Sequence, residues 1–124
     1  MSKHVLIADD EPNIVISLEF LMKREGHRVS IARDGDAALA AIRAERPDLV
    51  LLDVMMPGRS GFDVCQAVRA DETLAAVKIL MLSAKGRDTD LAKGTALGAD
   101  AYMTKPFSTR ELADKVREML EAAG

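Results

Sequence analysis

Leu49-Val50-Leu51-Leu52-Asp53 is an unbroken apolar run that stops at one carboxylate, and Val54-Met55-Met56-Pro57-Gly58 follows it as a loop. A run this short, bounded by turn signals, reads as a strand buried on both faces. Such a strand has no structural need to finish in an acid. Something at its carboxyl end must require a negative charge, or must balance one.

On the amino-terminal side, His4-Val5-Leu6-Ile7-Ala8 forms a first strand that ends in Asp9-Asp10-Glu11. Pro12 sits where a helix accepts proline, in its first turn. Ile14, Leu18, Leu21 and Met22 then follow at helical spacing, which predicts an amphipathic helix over roughly 12 to 25, stopped by Gly26. Residues 28 to 32 alternate as a shorter strand with one wetter face. Asp34-Gly35-Asp36 turns into an alanine-rich helix with Ala38, Leu39 and Ile42 on its inner face, ended by Pro47.

On the carboxyl-terminal side, Ser60-Gly61-Phe62-Asp63 reads as a capping box, and Val64, Ala67 and Val68 give the helix it starts a buried stripe. Val77 to Leu82 is a second apolar run, interrupted only by Lys78 and ending in Ser83-Ala84. Arg87 to Leu97 is a poor helix with Gly94 in its middle, worth about 1 kcal/mol against it. A weakly held helix beside a reactive site is a candidate for motion. Gly98 closes it. Ala101-Tyr102-Met103-Thr104 is a last strand, ending in Lys105-Pro106. Ser108 and Glu111 make a second capping box, and Leu112, Val116, Met119 and Leu120 line the final helix.

Strand and helix thus alternate five times, which argues for a parallel sheet with helices on both faces. Right-handed crossovers bring every strand's carboxyl end to one edge, where such sheets carry their ligand sites. The 124 residues suit one domain. Apolar residues are 48% and charged residues 30%, as in an ordinary soluble fold, while aromatics at 3% leave an aliphatic core. A net charge of -3 gives no reason to expect nucleic acid or an anionic membrane surface as partner. The single Cys65 cannot form an internal disulfide and suits a reducing cytosol. Val5-Leu6-Ile7-Ala8 is too short for a signal-peptide core, and no run approaches a membrane span. Only Glu121-Ala122-Ala123-Gly124 follow Leu120, so no output domain is expected on this chain.

The strand ends deliver Asp9 and Asp10 from the first, Asp53 from the third, Ser83 from the fourth and Lys105 from the fifth. Three adjacent carboxylates repel one another and raise one another's pKa. A divalent cation relieves that repulsion, and hard oxygen ligands favour Mg²⁺. Phosphoryl transfer needs this arrangement: a nucleophile in line, with a metal and a lysine to neutralise the equatorial oxygens. Asp53 projects from the middle of the sheet and is the best nucleophile. Ser83 is placed to donate to a bound phosphoryl group, and Lys105 to pair with its remaining charge.

With Asp9-Asp10, Asp53, Met56-Pro57-Gly58, Gly61, Ser83-Ala84 and Lys105-Pro106-Phe107, the chain resembles the receiver domains of two-component response regulators. It looks most like the single-domain chemotaxis type. The resemblance spans essentially residues 1–124 and implies a doubly wound, flavodoxin-like (βα)5 fold with strand order 2-1-3-4-5. It further implies phosphorylation of Asp53 by a histidine kinase or phosphotransfer protein in the cytoplasm, with Asp10 a direct Mg²⁺ ligand. Asp9 would act mostly through water, the Met55 carbonyl would complete the shell, and the Lys105-Pro106 bond would be cis. Ser83 and Tyr102 would form the switch: Ser83 moves toward the phosphoryl group, Tyr102 enters the vacated space, and the surface of helix four, strand five and helix five changes. A downstream protein target reads that surface.

Blander readings apply elsewhere. Cys65 reads as packing, Met55-Met56 as core filler, and Asp88-Thr89-Asp90 as a solvated helix start. Among rival functions, a phosphatase with an aspartyl nucleophile needs a second aspartate two residues on, where this chain has Met55, so an enzyme acting on outside substrates is not expected. A flavodoxin needs a phosphate-cradling loop after the first strand, where this chain has Asp-Asp-Glu. A receiver kept only as a scaffold would not need the intact acidic set.

Overall fold

The computed structural model describes residues 3–84 and 88–121; of 84 and 88–90 it describes the backbone. Ala122–Gly124 and Arg87, the expected first residue of the weak helix, lie outside the described residues. Five parallel strands, β1 (His4–Ala8), β2 (Arg28–Ala32), β3 (Leu49–Asp53), β4 (Lys78–Ala84) and β5 (Ala101–Lys105), form one sheet in the order β2-β1-β3-β4-β5. Helices α1 (Pro12–Arg24), α2 (Gly35–Glu45), α3 (Gly61–Ala70), α4 (Asp88–Ala96) and α5 (Thr109–Glu121) connect and follow them. No helix among the described residues is long and apolar enough to cross a membrane.

Two apolar layers sandwich the sheet, and strand parity decides which side chain joins which layer. Val5, Ile7, Leu49, Leu51, Leu80 and Leu82 meet α1 and α5 through Leu18, Met22, Leu112 and Val116. Leu6, Ala8, Val50, Leu52, Ile79 and Met81 meet α2 and α3 through Leu39, Ile42, Val64 and Val68. All five residues of β3 are buried. Each fully buried aliphatic side chain contributes about 1.5–3 kcal/mol, so the strand tolerates a costly terminal acid.

The helix ends follow local chemistry. Asp34 accepts from the Ala37 amide at 2.7 Å and caps α2. Ser60 and Asp63 close a reciprocal capping box on α3, a device typically worth about 1 kcal/mol. Ser108 accepts from the Glu111 amide at 3.0 Å, and its hydroxyl donates to the Glu111 carboxylate at 3.2 Å. The second expected box is therefore a serine cap with a side-chain bond rather than a reciprocal pair. Gly26, at φ 87°, turns the chain out of α1.

Several expectations shift. In α1 Leu18, Leu21 and Met22 are buried as expected, Val15 joins them, and Ile14 is half-buried at the edge of the stripe. In α3, Cys65 is fully buried while Ala67 is half-buried, so Cys65 does pack. Burial pushes its thiol pKa up, which keeps it protonated and unreactive. β4 runs on through Ser83 and Ala84, because these pair with Thr104 and Lys105 of β5. A short 3-10 turn, Glu72–Leu74, was not anticipated; it tucks Leu74 into the core. Met56 is buried but Met55 is 61% exposed, so only one of the two methionines fills the core. The backbone of Asp88-Thr89-Asp90 does begin α4.

Gly94 also changes meaning. It is buried, and a Cβ there would lie 2.9 Å from the Met81 sulfur and close to Tyr102 and Phe62. Its missing side chain lowers helix propensity but lets α4 lie directly on the sheet.

Candidate functional site

Parity explains why the charged groups meet. Asp9 continues the Val5–Ile7 side of β1, Asp53 the Leu49–Leu51 side of β3, and Lys105 the Ala101–Met103 side of β5. All three therefore emerge over the α1/α5 layer at the carboxyl edge of the sheet. β4, which separates β3 from β5, ends at that height, its Ala84 backbone paired with Lys105, and the long lysine stem spans it.

The Lys105 ammonium donates to Asp9 Oδ2 at 3.0 Å and to Asp53 Oδ1 at 3.1 Å. Asp9 is 1% exposed and Asp53 6%. The other oxygen of Asp9 accepts from the Glu11 amide at 2.9 Å, which anchors the acid to the loop after β1. Asp10 stands exposed at the mouth. One carboxylate oxygen from each of Asp9, Asp10 and Asp53 lies within 4.8 Å of the others. The Lys105-Pro106 peptide bond is cis.

The electrostatics follow. Burial, reinforced by the charge of Asp9, pushes the Asp53 carboxyl up to about 6, and Lys105 offsets this only in part. Burial opposes the charge on Lys105, but its hydrogen bonds and charge contacts with Asp9 and Asp53 outweigh that and raise its pKa. Three carboxylates against one ammonium leave a net negative pocket lined by hard oxygen donors, a donor set that fits a small divalent cation.

Ser83 and Tyr102 stand on the other parity of their strands. By alternation Ser83 follows Ile79 and Met81 toward the α2/α3 side, and Tyr102 packs half-buried against that same cluster. Ser83 itself is 1% exposed. The Met55 side chain points to solvent, which leaves its backbone as the part able to serve the site.

Gly61, expected from the cap and from the receiver motif, has a part at the site that the sequence does not explain. The Gly61 amide donates to the Val54 carbonyl at 2.9 Å, and a Cβ on Gly61 would lie 2.9 Å from Val54 Cα and closer still to the Asp53 carbonyl oxygen. Only glycine lets α3 begin against the backbone at the end of β3. The signal in the sequence was Gly61 directly after the cap, but nothing local says what it approaches.

The family described as response regulator receiver domain matches residues 5–117. Among solved structures, a putative response regulator from Chloroflexus aurantiacus J-10-fl is 33% identical, with 98% of this chain and 99% of that chain covered and a TM-score of 0.93. The Vibrio cholerae chemotaxis protein CheY4 is 30% identical over 96% of this chain and 99% of that one, with a TM-score of 0.88. A BeF3-activated DrrB receiver domain is 30% identical over 98% and 99%, again at 0.88.

Proposed function

This chain belongs to the response regulator receiver domains, and on that premise we propose that it is a phosphorylation-activated signalling switch whose phosphoacceptor is Asp53. The observation that carries the reading is the meeting of Asp53 with Asp9, Asp10 and Lys105 in one pocket at the sheet edge. A histidine kinase or phosphotransfer protein in the cytoplasm is the donor. An Asp53 carboxylate oxygen attacks phosphorus, the bond from phosphorus to the donor nitrogen breaks, and the imidazole leaves with the electron pair. Asp53 must be ionised to attack, and a carboxyl titrating at about 6 is mostly so at neutral pH.

Asp10 and Asp53, with the Met55 carbonyl, would hold Mg²⁺, and Asp9 would act through water because one of its oxygens is committed to the Glu11 amide. The ion supplies charge neutralisation for the transferring oxygens. Lys105, already between two acids, pairs with the phosphoryl group. Ser83 donates to it, and Tyr102, which shares a layer with Ser83 and touches the Gly94 region of α4, transmits the change to α4, β5 and α5. The DrrB receiver domain that is described as BeF3-activated shares this fold. The Met55 thioether can neither give nor take a proton, which supports a regulator that catalyses only its own phosphorylation and dephosphorylation.

The test is incubation with acetyl phosphate and Mg²⁺. Wild type is expected to gain one phosphoryl mass, and Asp53→Asn none; an unmodified wild type refutes the phosphoacceptor assignment. A second prediction concerns the ion alone. Mg²⁺ should raise the melting temperature of wild type, since a ligand selective for the folded state stabilises it. Asp10→Ala should lose most of that rise; an equal rise in Asp10→Ala would remove Asp10 from the ligand set.

A further inference from the structure

We propose that the first turn of α2 is a positioning element for the loop after Asp53, with Gly35 holding it through close backbone approach and Asp36 through an ion pair to Arg59. The inference rests on the phosphoacceptor reading and deepens it by naming what fixes the Met55 carbonyl.

The loop over 54–60 is tied at its ends by Val54, whose amide donates to Leu82 at 3.0 Å, and by Gly61, whose amide donates to Val54. Its middle is gripped by α2. The Gly35 amide donates to the Pro57 carbonyl at 3.3 Å. A Cβ on Gly35 would lie 2.5 Å from both the carbonyl carbon and the Cβ of Arg59, and nearer still to the carbonyl oxygen. The two backbones are therefore in hard contact. Arg59 Nε donates to Asp36 Oδ1 at 2.9 Å. Gly58 takes φ 73°, and a Cβ on it would lie 3.2 Å from the other Asp36 oxygen.

α2 can serve as the fixed side of this contact. Asp34 caps it, and Ala38, Leu39 and Ile42 bury its inner face in the core. The ion pair is exposed and adds little alone, so the Gly35 contact dominates. A ligating carbonyl needs placement to within about 0.5 Å, and a misplacement of about 1 Å costs on the order of 100-fold in rate.

The experiment compares Gly35→Ala with Ile42→Val, a core variant two turns further along the same helix. Both are titrated with Mg²⁺ by calorimetry, then treated with acetyl phosphate at saturating Mg²⁺ and followed by mass spectrometry. Gly35→Ala is expected to bind Mg²⁺ about 10-fold more weakly and to be phosphorylated about 10- to 100-fold more slowly. Ile42→Val is expected to melt lower and keep both properties. A folded Gly35→Ala with wild-type affinity and rate overturns the inference, as does an equal loss in Ile42→Val. If Gly35→Ala does not fold, Asp36→Arg and Arg59→Asp replace it. Each alone should weaken Mg²⁺ binding about 3-fold, and the double swap should restore it; unaltered single swaps overturn the proposal. A wild type that takes no phosphoryl group overturns the phosphoacceptor reading and this inference with it. Equal uptake by wild type and Gly35→Ala overturns this inference alone.

Discussion

Without divalent cation, Asp53→Asn is expected to be more stable than wild type by about 2–3 kcal/mol above about pH 7, and equally stable below about pH 3. The cause is the shift of the Asp53 carboxyl from 3.8 to about 6, set first by burial and then by Asp9. An acid whose pKa is raised by folding opposes folding once it ionises. Well below 3.8 both states hold the proton and no penalty exists. As pH rises through the window from 3.8 to about 6, the unfolded chain releases its proton first, so wild-type stability falls relative to the variant. Above about 6 the penalty is complete. Asparagine keeps the shape and removes the charge. Urea unfolding of both proteins across this range measures the difference. A gap that stays constant with pH would place its origin outside the titration of Asp53. Mg²⁺ should narrow the gap, because the ion relieves the same repulsion that the substitution removes. The Asp53 carboxylate is thus held in a destabilised form, as functional groups commonly are.

How much of this was legible beforehand depends on the range of the interaction. β1, β2 and β3 begin and end where the sequence predicts, because each pairs a short apolar stretch with an abrupt turn or acid. The strand order agrees with the receiver resemblance. Within continuous apolar runs, however, both faces are buried and alternation leaves no mark. Nothing in Leu49–Asp53 alone says that Asp53 shares a layer with Asp9 and Lys105 while Ser83 follows the other. The first turn of α1 was ambiguous because Ile14, Val15 and Ile16 are all apolar; only packing shows that Val15 goes fully inside and Ile16 remains 63% exposed. In the sequence Gly35 and Gly94 look like local punctuation or weakness, and Gly61 like part of a cap and of the receiver motif. Their purpose is contact with Arg59, Asp53 and Met81, which are distant in sequence or across a loop. A glycine's reason is invisible until its neighbour is known.

The largest stability loss is expected from Lys105→Met, about 3–5 kcal/mol without cation. Methionine replaces the stem, so the loss reports on charge rather than volume. Lys105 is the ammonium between two carboxylates that are 1% and 6% exposed. Removing it leaves both acids buried beside each other with no counter-charge, and the cost of an unpaired buried charge exceeds what the pair contributed. Two consequences separate this account from simple loss of packing. Mg²⁺ should recover much of the loss, since it neutralises the same acids. Combining Lys105→Met with Asp53→Asn should cost less than Lys105→Met alone, because only Asp9 then remains unpaired. Denaturant midpoints with an unchanged slope give each corner of the cycle. If the double variant loses as much as Lys105→Met by itself, Asp53 does not depend on the ammonium, and the pocket is a cluster of acids with a lysine merely alongside.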